Sequence, residues 1–335
     1  MACVRELFYE RERQTLSPYA FLCENTRGRE VPIPPCPMRT DFQRDRDRIL
    51  HCKSFRRLMH KTQVFLQPEG DHYRTRMTHT LEVARIGRTI ARALRLNEDL
   101  VEAAAMGHDL GHTPFGHAGE AALTDVMGTR FRHNEQSLRV VEKLENGGAG
   151  LNLTYEVRRA IVCHTGEDLP ETLEGQILRY ADRIAYINHD IDDAIRAGIL
   201  TEDDLPQDIR QVLGDSHSRR INTLVEDMIA ASEGQARIGM TPRVEKAMDE
   251  LREFMFDHVY RNPVAKGEES KAKIIIKELY CYYLHHPDQL PADFRPQMDF
   301  DGMPRVVCDY VAGMTDKYAV YKFSELFIPT GWQNR

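Results

Sequence analysis

The sequence lacks long apolar runs, paired cysteines and internal repeats, and each absence excludes a class of protein. No stretch of its 335 residues approaches the roughly 20 consecutive apolar residues that a membrane-spanning helix needs. The N-terminus is charged from Arg5 onward and has no apolar signal-peptide core. The seven cysteines are scattered and include no CxxC pair, which argues against a disulfide framework and against a zinc–thiolate site. We therefore expect a cytoplasmic protein without a membrane partner.

Strand patterns and phosphate-binding glycine loops are also scarce. The glycine-rich segment at 146–150 is not followed by Lys and Ser or Thr, so it does not resemble a P-loop. A short strand-like edge is predicted only at 61–66, before a turn at 68–70. Apolar residues elsewhere recur at helical intervals, which predicts a single-domain, all-α protein. We expect three regions: an irregular, proline-containing N-terminal arm at 1–38, a helical core at 39–200, and a C-terminal helical region packed on that core at 201–335.

The net charge of −7 conceals a basic segment. Residues 39–95 hold 14 Lys and Arg against 6 Asp and Glu, although the whole chain has 45 against 52. A basic segment of this kind suits an anionic substrate. The alternative is an exposed helix face with alternating charges, which accounts for part of 44–48. An acidic chain is a poor general binder of nucleic acid, so we expect at most weak binding of a single strand in a local basic groove.

The densest group of chemically active side chains lies at 107–120, in the sequence Gly-His-Asp-Leu-Gly-His-Thr-Pro-Phe-Gly-His-Ala-Gly-Glu. This segment contains His108, Asp109, His112, His117 and Glu120. An adjacent His and Asp offer a nitrogen and an oxygen ligand to a divalent cation. The glycines and Pro114 let the later histidines turn back toward the same point. A helix-end cap is the alternative for any one histidine, but so many polar groups in one segment indicate a site.

Two further predicted helices carry candidate ligands. His79 lies near the start of a basic helix, and Asp182 lies among inward-facing apolar residues of a long helix at 172–197. A carboxylate in such surroundings needs a partner or a metal ion. Tyr186 and Asp190 follow Asp182 at i+4 and i+8, so all three share one face of the helix. A solvent-facing edge is the alternative for Tyr186 and Asp190.

The arrangement of His79, His108-Asp109 and Asp182 resembles that of the HD-domain metallohydrolases, a family named for the adjacent His-Asp pair. Further segments narrow the resemblance to the bacterial dGTPase-like deoxynucleoside triphosphate triphosphohydrolases. They are Phe-Arg-Arg-Leu (55–58), Lys-Thr-Gln-Val-Phe (61–65), Arg-Thr-Arg-Met-Thr-His-Thr (74–80), His-Asn-Glu-Gln-Ser (133–137), Tyr-Ala-Asp (180–182) and Gly-Met-Thr-Asp (313–316). The likeness extends from about residue 39 to 326 and implies an HD-domain fold with a C-terminal helical extension.

The resemblance assigns roles to individual positions. It implies a divalent metal ion (Mn, Mg, Fe, Co, Ni or Zn) held by His79, His108, Asp109 and Asp182. It implies catalytic roles for His117, as the acid that protonates the leaving 5′-oxygen, for Glu120, which orients it, and for His112 and His133 near the phosphates. It implies contacts with the substrate phosphates by Arg76, Lys61 and Arg183, and with the deoxyribose by Gln63, Tyr186 and Asp190.

The implied reaction converts a dNTP, either dGTP or dNTPs in general, into the deoxynucleoside and tripolyphosphate and so regulates dNTP pools. The expected nucleophile is a water molecule activated by the cation, which attacks the α-phosphorus. The family also implies a homo-oligomer, hexameric or tetrameric, and activation by a second dNTP. Two alternatives stay open: an HD-type phosphodiesterase or nucleotidase acting on other nucleotides, and a non-catalytic nucleotide sensor or single-strand-binding protein.

Overall fold

The structure, a computed structural model, describes residues 3–63, 74–261 and 263–329, with the backbone alone at 263–267. The described residues contain sixteen α-helices joined by short 3-10 and π-helical turns. In chain order they are α1 (Val4–Thr15), α2 (Asp41–Leu50), α3 (Lys53–Arg57), α4 (Arg76–Ala93), α5 (Glu98–Gly107), α6 (His117–Met127), α7 (His133–Arg139), α8 (Tyr155–Val162), α9 (Leu173–Arg196), α10 (Gln207–Leu213), α11 (His217–Ser232), α12 (Pro242–Met255), α13 (Pro263–His285), α14 (Met298–Asp301), α15 (Met303–Ala312) and α16 (Asp316–Phe327). Two isolated bridges, Arg29 with Thr154 and Thr62 with Thr75, are the β contacts in these ranges. The all-α prediction is confirmed.

Helices α4, α5 and α9 form the centre of the molecule. α4 packs against α5 and α9, and α5 also contacts α2 and α8. Glycines allow this close approach, because a Cβ on Gly107 would lie 2.4 Å from Ile161 Cδ1 and one on Gly87 would lie 2.7 Å from Val101 Cγ1. The packing brings the C-terminal end of α5 beside the first turn of α4 and the middle of α9.

Side-chain caps fix where these central helices begin. Thr75 accepts from the backbone N–H of Thr78 in a capping box at the start of α4. Asn97 accepts from the backbone N–H groups of Asp99 and Leu100 and so caps α5. Each cap satisfies donors that would otherwise lack a partner inside the protein. The caps therefore set the register in which α4 and α5 present their ends to α9.

The C-terminal region joins the core at two places. α11 and α12 share an apolar cluster with α4 and α9, which includes Leu224 of α11 and Ile184 of α9. α13, α15 and α16 share a second cluster with α6, which includes Val307 of α15 and Leu123 of α6. The boundary expected at residue 200 is therefore one of sequence regions only, because one apolar core continues across it.

The N-terminal arm differs in part from the expectation, because α1 precedes the irregular, proline-containing chain. None of the residues of α1 is buried, and its apolar period (Val4, Leu7 and Phe8) covers only the first turns before charged residues take over, which is too short to predict a helix. Tyr9 packs against an apolar cluster of the core, and polar bonds complete the attachment. Glu12 accepts hydrogen bonds from Cys23 N at 2.7 Å and from Asn97 Nδ2 at 3.2 Å.

The strand-like edge predicted at 61–66 is described only in its first residues, where Thr62 pairs with Thr75. Residues 64–66 and the turn predicted at 68–70 lie outside the described residues. In the described ranges, no helix is both long enough and apolar enough to cross a membrane.

Candidate metal centre and active site

Three helices bring the expected metal ligands to one point. His79 lies in the first turn of α4, His108 and Asp109 lie at the C-terminal end of α5, and Asp182 lies near the middle of α9. His79 Nε2 is 3.0 Å from Asp182 Oδ1. His108 Nε2 is 3.6 Å from that same oxygen and 3.3 Å from Asp109 Oδ1. Four residues that are far apart in the sequence thus form one cluster.

The donor atoms of this cluster fit a divalent cation. His108 Nδ1 donates to Ala105 O at 2.6 Å, so Nε2 is the nitrogen of this imidazole that can bind a metal ion. That Nε2 atom is buried and has no hydrogen-bond partner. Donor atoms of His79, His108 and Asp109 lie within 4.8 Å of one another. Imidazole and carboxylate ligands together suit a first-row divalent cation, and a bound cation would satisfy the buried nitrogen.

The charges of the cluster favour a cation as well. Burial lowers the pKa of His108, but the carboxylates of Asp109 and Asp182 outweigh it and raise this pKa to about 9. Burial raises the pKa of Asp182, but the neighbouring imidazoles of His108 and His79 outweigh it and hold the pKa well below its ordinary value. The carboxyl groups are therefore ionised, and positive charge must balance them. Protons on the histidines or a divalent cation can supply that charge.

The chain turns sharply between Asp109 and α6. Phe115 and Gly116 have φ values of 62° and 55°, and α6 begins at the next residue, His117. A Cβ added to Gly116 would lie 2.9 Å from Arg76 Nη2, so the turn passes directly beside this guanidinium. Arg76 is buried and donates from Nη1 to Asp109 Oδ2 at 3.2 Å, while its Nε has no partner. The turn therefore brings a free guanidinium N–H and the start of α6 next to the metal ligands.

The side chain of His117 reaches solvent, although protein surrounds the ring on most sides. This surrounding protein desolvates the ring and lowers the pKa of His117, an effect that Glu120 only partly offsets. Glu120 makes its contacts elsewhere: Oε1 lies 2.9 Å from His133 Nδ1 and 3.5 Å from His112 Nδ1. The Glu120 carboxylate is thus paired with His133 of α7, and its role in orienting His117 stays a prediction.

His112 and His133 form a second group beside the first. Their rings stack with centroids 3.9 Å apart, and His112 Nε2 lies 3.1 Å from Asp109 Oδ1. Donor atoms of Asp109, His112 and His133 also lie within 4.8 Å of one another. Burial, together with the charge of Arg76, lowers the pKa of His112 well below its ordinary value. His112 is therefore neutral, and this group places imidazole nitrogen atoms beside the metal ligands.

His164 belongs to the site, although the sequence patterns did not single it out. Its Nδ1 donates to Ile161 O at 2.7 Å, and its Nε2 lies 3.2 Å from His133 Nε2. The ring meets that of His108 edge-on, with centroids 5.1 Å apart. Burial and the charge of His108 lower the pKa of His164 to about 3, so this imidazole is neutral. The sequence signal was weak: Cys-His-Thr-Gly at 163–166 follows an amphipathic helix, much as His-Asp follows α5.

A continuous row of histidine rings runs through the site. Neighbouring ring centroids are between 3.9 and 6.4 Å apart. In spatial order the row consists of His217, His189, His79, His108, His164, His133, His112 and His117. His189 was likewise not predicted, and its Nδ1 lies 3.1 Å from Glu82 Oε2. The row links the candidate metal ligands to the candidate general acid.

The expected sugar-binding residues include a buried carboxyl group. Asp190 Oδ2 accepts a hydrogen bond from the hydroxyl of Tyr260, while Asp190 Oδ1 and Gln63 Oε1 are buried without a partner. Burial raises the pKa of Asp190 to about 8, and the bond from Tyr260 lowers it only in part. Tyr186 lies one helical turn before Asp190 on α9. Tyr260 escaped prediction because it lies in a π-helical turn after α12, distant in sequence from its partner.

Two of the expected phosphate contacts have other partners. Lys61 is buried and its Nζ donates to His112 O and Ala312 O. Burial lowers the pKa of Lys61 to about 7. These bonds hold the chain in place and give no support to a phosphate contact by Lys61. Arg183 is partly exposed and donates to Asp249 Oδ1 at 3.4 Å, and its contact with phosphate stays a prediction.

Comparison with known proteins agrees with this geometry. Residues 76–187 match the model of the HD domain, and residues 238–325 match that of the phosphohydrolase-associated domain. A deoxyguanosinetriphosphate triphosphohydrolase-like protein of Caldanaerobacter subterraneus subsp. tengcongensis is 55% identical over 98% of this chain and 97% of its own length. A protein of the same description from Desulfatibacillum aliphaticivorans is 49% identical over 98% of this chain and 99% of its own.

The fold also has a counterpart among solved structures. A hypothetical protein from Aquifex aeolicus superposes with a TM-score of 0.50 at 21% identity, covering 85% of this chain and 68% of that one. This likeness concerns the fold alone. The near full-length relatives decide the family, and the chain belongs to the HD-domain, deoxyguanosinetriphosphate triphosphohydrolase-like phosphohydrolases.

Proposed function

We propose that the protein is a metal-dependent deoxynucleoside triphosphate triphosphohydrolase that releases the deoxynucleoside and tripolyphosphate, from dGTP or from dNTPs in general, and so limits dNTP pools. The observation that carries the proposal is the convergence of His79, His108, Asp109 and Asp182, with the buried His108 Nε2 left without a hydrogen-bond partner. The names of the near full-length relatives support the same substrate class.

Cationic and neutral donors beside the metal ligands suit a polyphosphate chain. Arg76 already neutralises one oxygen of Asp109, and its unpartnered Nε can donate to a phosphate oxygen. His112, whose ring stacks on that of His133, lies 3.1 Å from the other oxygen of Asp109. A divalent cation held by the four ligands would polarise the phosphoryl group and lower the pKa of a water molecule.

His117 is the candidate proton donor to the leaving 5′-oxygen. It is exposed at the rim of the site, where a bound substrate can reach it. Desolvation lowers its pKa in the free protein. The negative charge of a bound triphosphate acts in the opposite direction, because nearby anions favour the imidazolium form. Substrate binding would therefore place on His117 the proton that the leaving oxygen needs.

Selection of deoxyribose is assigned to Gln63, Tyr186 and Asp190. The unpartnered oxygens of Gln63 and Asp190 are available to a hydroxyl group of the sugar. Tyr260 keeps the carboxyl group of Asp190 in one orientation through its hydrogen bond. The proposal predicts that a ribonucleoside triphosphate is a much poorer substrate than the matching dNTP.

The test is an assay of the four dNTPs, singly and mixed, with each of several divalent metals, in which phosphorus NMR follows the products. The expected product is tripolyphosphate in amounts equal to the deoxynucleoside, with stimulation in mixtures if a second dNTP activates the enzyme. Release of pyrophosphate or orthophosphate, or hydrolysis of cyclic or oligonucleotides alone, would refute the proposal. Nucleotide binding without turnover under any metal would refute it too.

A further inference from the structure

One carboxylate of the C-terminal region reaches into the catalytic segment. Asp316, at the start of α16, is buried, with only 2% of its surface exposed. Its Oδ1 accepts from Phe115 N at 3.0 Å. Its Oδ2 accepts from Thr62 N at 3.0 Å and from the Thr62 hydroxyl. A single side chain therefore joins the C-terminal region to two segments that border the site.

Phe115, which donates its backbone N–H to Asp316, has an unfavourable backbone conformation. Phe115 has a φ of 62°, a region that residues with a Cβ rarely adopt. Such a conformation persists only where surrounding contacts hold it. Within the turn, Thr113 Oγ1 donates to Gly116 O at 2.8 Å and Gly116 N donates to Thr113 O at 3.3 Å. Neither of these bonds involves the N–H of Phe115, which depends on Asp316.

A second tether acts on the other end of the same segment. Lys61 Nζ donates both to His112 O and to Ala312 O, the last residue of α15. The peptide groups of His112 and Phe115 are thus both tied to the short connection between α15 and α16. The start of α6, which bears His117, follows Phe115 after one residue.

From these contacts we propose that Asp316 is a positioning residue, which holds the Phe115–Gly116 turn and thereby directs His117 toward the reacting phosphoryl group. The proposal rests on the proposed function for the role of His117. Asp316 contacts no candidate metal ligand among its hydrogen-bond partners. The C-terminal region is then a working part of the active site, since catalysis requires its α15–α16 connection to be docked.

The test compares Asp316→Ala and Asp316→Asn with Thr315→Ala. Thr315 caps the same helix, with its Oγ1 accepting from Tyr318 N at 3.2 Å, and makes none of these bonds to the turn. We expect Asp316→Ala to lower kcat by about 10- to 100-fold, as for a displacement of a catalytic group by about 1 Å. KM should change by less than about twofold and the bound metal should stay at its wild-type level. Thr315→Ala should keep kcat within about twofold.

Asp316→Asn keeps the shape of the side chain but replaces one acceptor oxygen with a donor. Its amide nitrogen must then face either Phe115 N–H or the N–H of Thr62, so we expect a kcat between those of wild type and Asp316→Ala. If Asp316→Ala fails to fold, the kcat of Asp316→Asn tests whether Asp316 positions the turn before His117. A kcat for Asp316→Asn equal to that of Thr315→Ala would overturn the proposal, and so would a rise in KM alone.

Hydrogen exchange gives a measure that needs no substrate. The amide of Phe115 should exchange at least about tenfold faster in Asp316→Ala than in wild type, and at the wild-type rate in Thr315→Ala. Unchanged exchange in a folded Asp316→Ala would refute the positioning by Asp316. A wild-type protein that releases no tripolyphosphate would refute the proposed function and leave the exchange result to decide the role of Asp316.

Discussion

Gly111 lies where the catalytic segment passes closest to α7, and its replacement by alanine should separate the two. A Cβ at this position would lie 2.1 Å from Ser137 N and 2.5 Å from both Gln136 C and His133 O. All three atoms belong to backbone, so no side chain can rotate away. Because ordinary contacts begin at 3.4 Å, either α7 or the segment must move by about 1 Å.

That movement would act directly on the histidine group. α7 begins at His133, whose ring stacks on His112 with a centroid distance of 3.9 Å and whose Nδ1 lies 2.9 Å from Glu120 Oε1. Overpacking of this kind typically costs about 1–3 kcal/mol of stability. A misplacement of about 1 Å in an active site can lower the rate about 100-fold. We therefore expect Gly111→Ala to lower the melting temperature by a few degrees and kcat by 10- to 100-fold.

Gly239→Ala is the matched control. Its added Cβ would meet nothing nearer than Arg237 Nη1 at 3.7 Å, and Gly239 does not have a positive φ. The two variants are compared by thermal unfolding and by tripolyphosphate release at a temperature where both are folded. Equal melting temperatures and equal rates for Gly111→Ala and Gly239→Ala would show that the tight packing of α7 on the catalytic segment does not position His133.

Three further predictions follow from the site. Asp182→Ala should lose both the bound metal and turnover, whereas His117→Ala should keep the metal and lose about 100- to 10,000-fold in kcat; metal analysis beside the rate assay separates them, and an active His117→Ala would exclude the proposed proton donor. Because the pKa of Asp190 is raised from 3.8 to about 8, the folded protein holds a proton that the unfolded chain releases, so wild-type stability should fall as pH rises through this window. Asp190→Asn cannot ionise, and its advantage in melting temperature should grow from pH 5 to pH 9; a constant difference would contradict this. Tyr260→Phe removes the hydrogen bond to Asp190 Oδ2 and should raise KM for the dNTP several-fold with a smaller change in kcat, as steady-state kinetics would reveal.

The sequence was most informative where local periods and caps determine structure. The long helix predicted at 172–197 is α9 at Leu173–Arg196, because apolar residues recur along its buried face and Thr172 caps its start. Asn97 stands directly before Glu98 and Asp99, a pattern typical of a helix start, and it accepts two backbone N–H groups at the start of α5. α1 was not predicted, because its apolar period is limited to Val4, Leu7 and Phe8 and charged residues make up most of the remaining helix.

The four metal-ligand positions could be predicted because the adjacent His and Asp are typical of one family, in which the places of the other two ligands are also fixed. The pair supplied the resemblance that linked it to His79 and Asp182, and the structure brings all four side chains together. His164 had no such link. A histidine that ends a helix is common, and its relevance depends on the 3.2 Å approach of its Nε2 to His133, which no local pattern encodes.

Polar contacts between distant segments explain why some motifs of the family lie away from the metal ligands. The segments at 61–65, 107–120 and 313–316 all carried the resemblance, yet the last contains no candidate ligand or proton donor. In the structure, Asp316 accepts from Thr62 N and from Phe115 N, each at 3.0 Å, so one residue of every segment meets at this carboxylate. Lys61 likewise connects distant segments. The resemblance implied that it contacts phosphate, but its amine is buried against the carbonyl groups of His112 and Ala312. Buried charge is costly unless it is satisfied, and here it is satisfied by the backbone of the catalytic turn and of the α15–α16 connection. The strained turn before His117 therefore explains why the three segments meet, because the turn needs support from residues outside the HD domain.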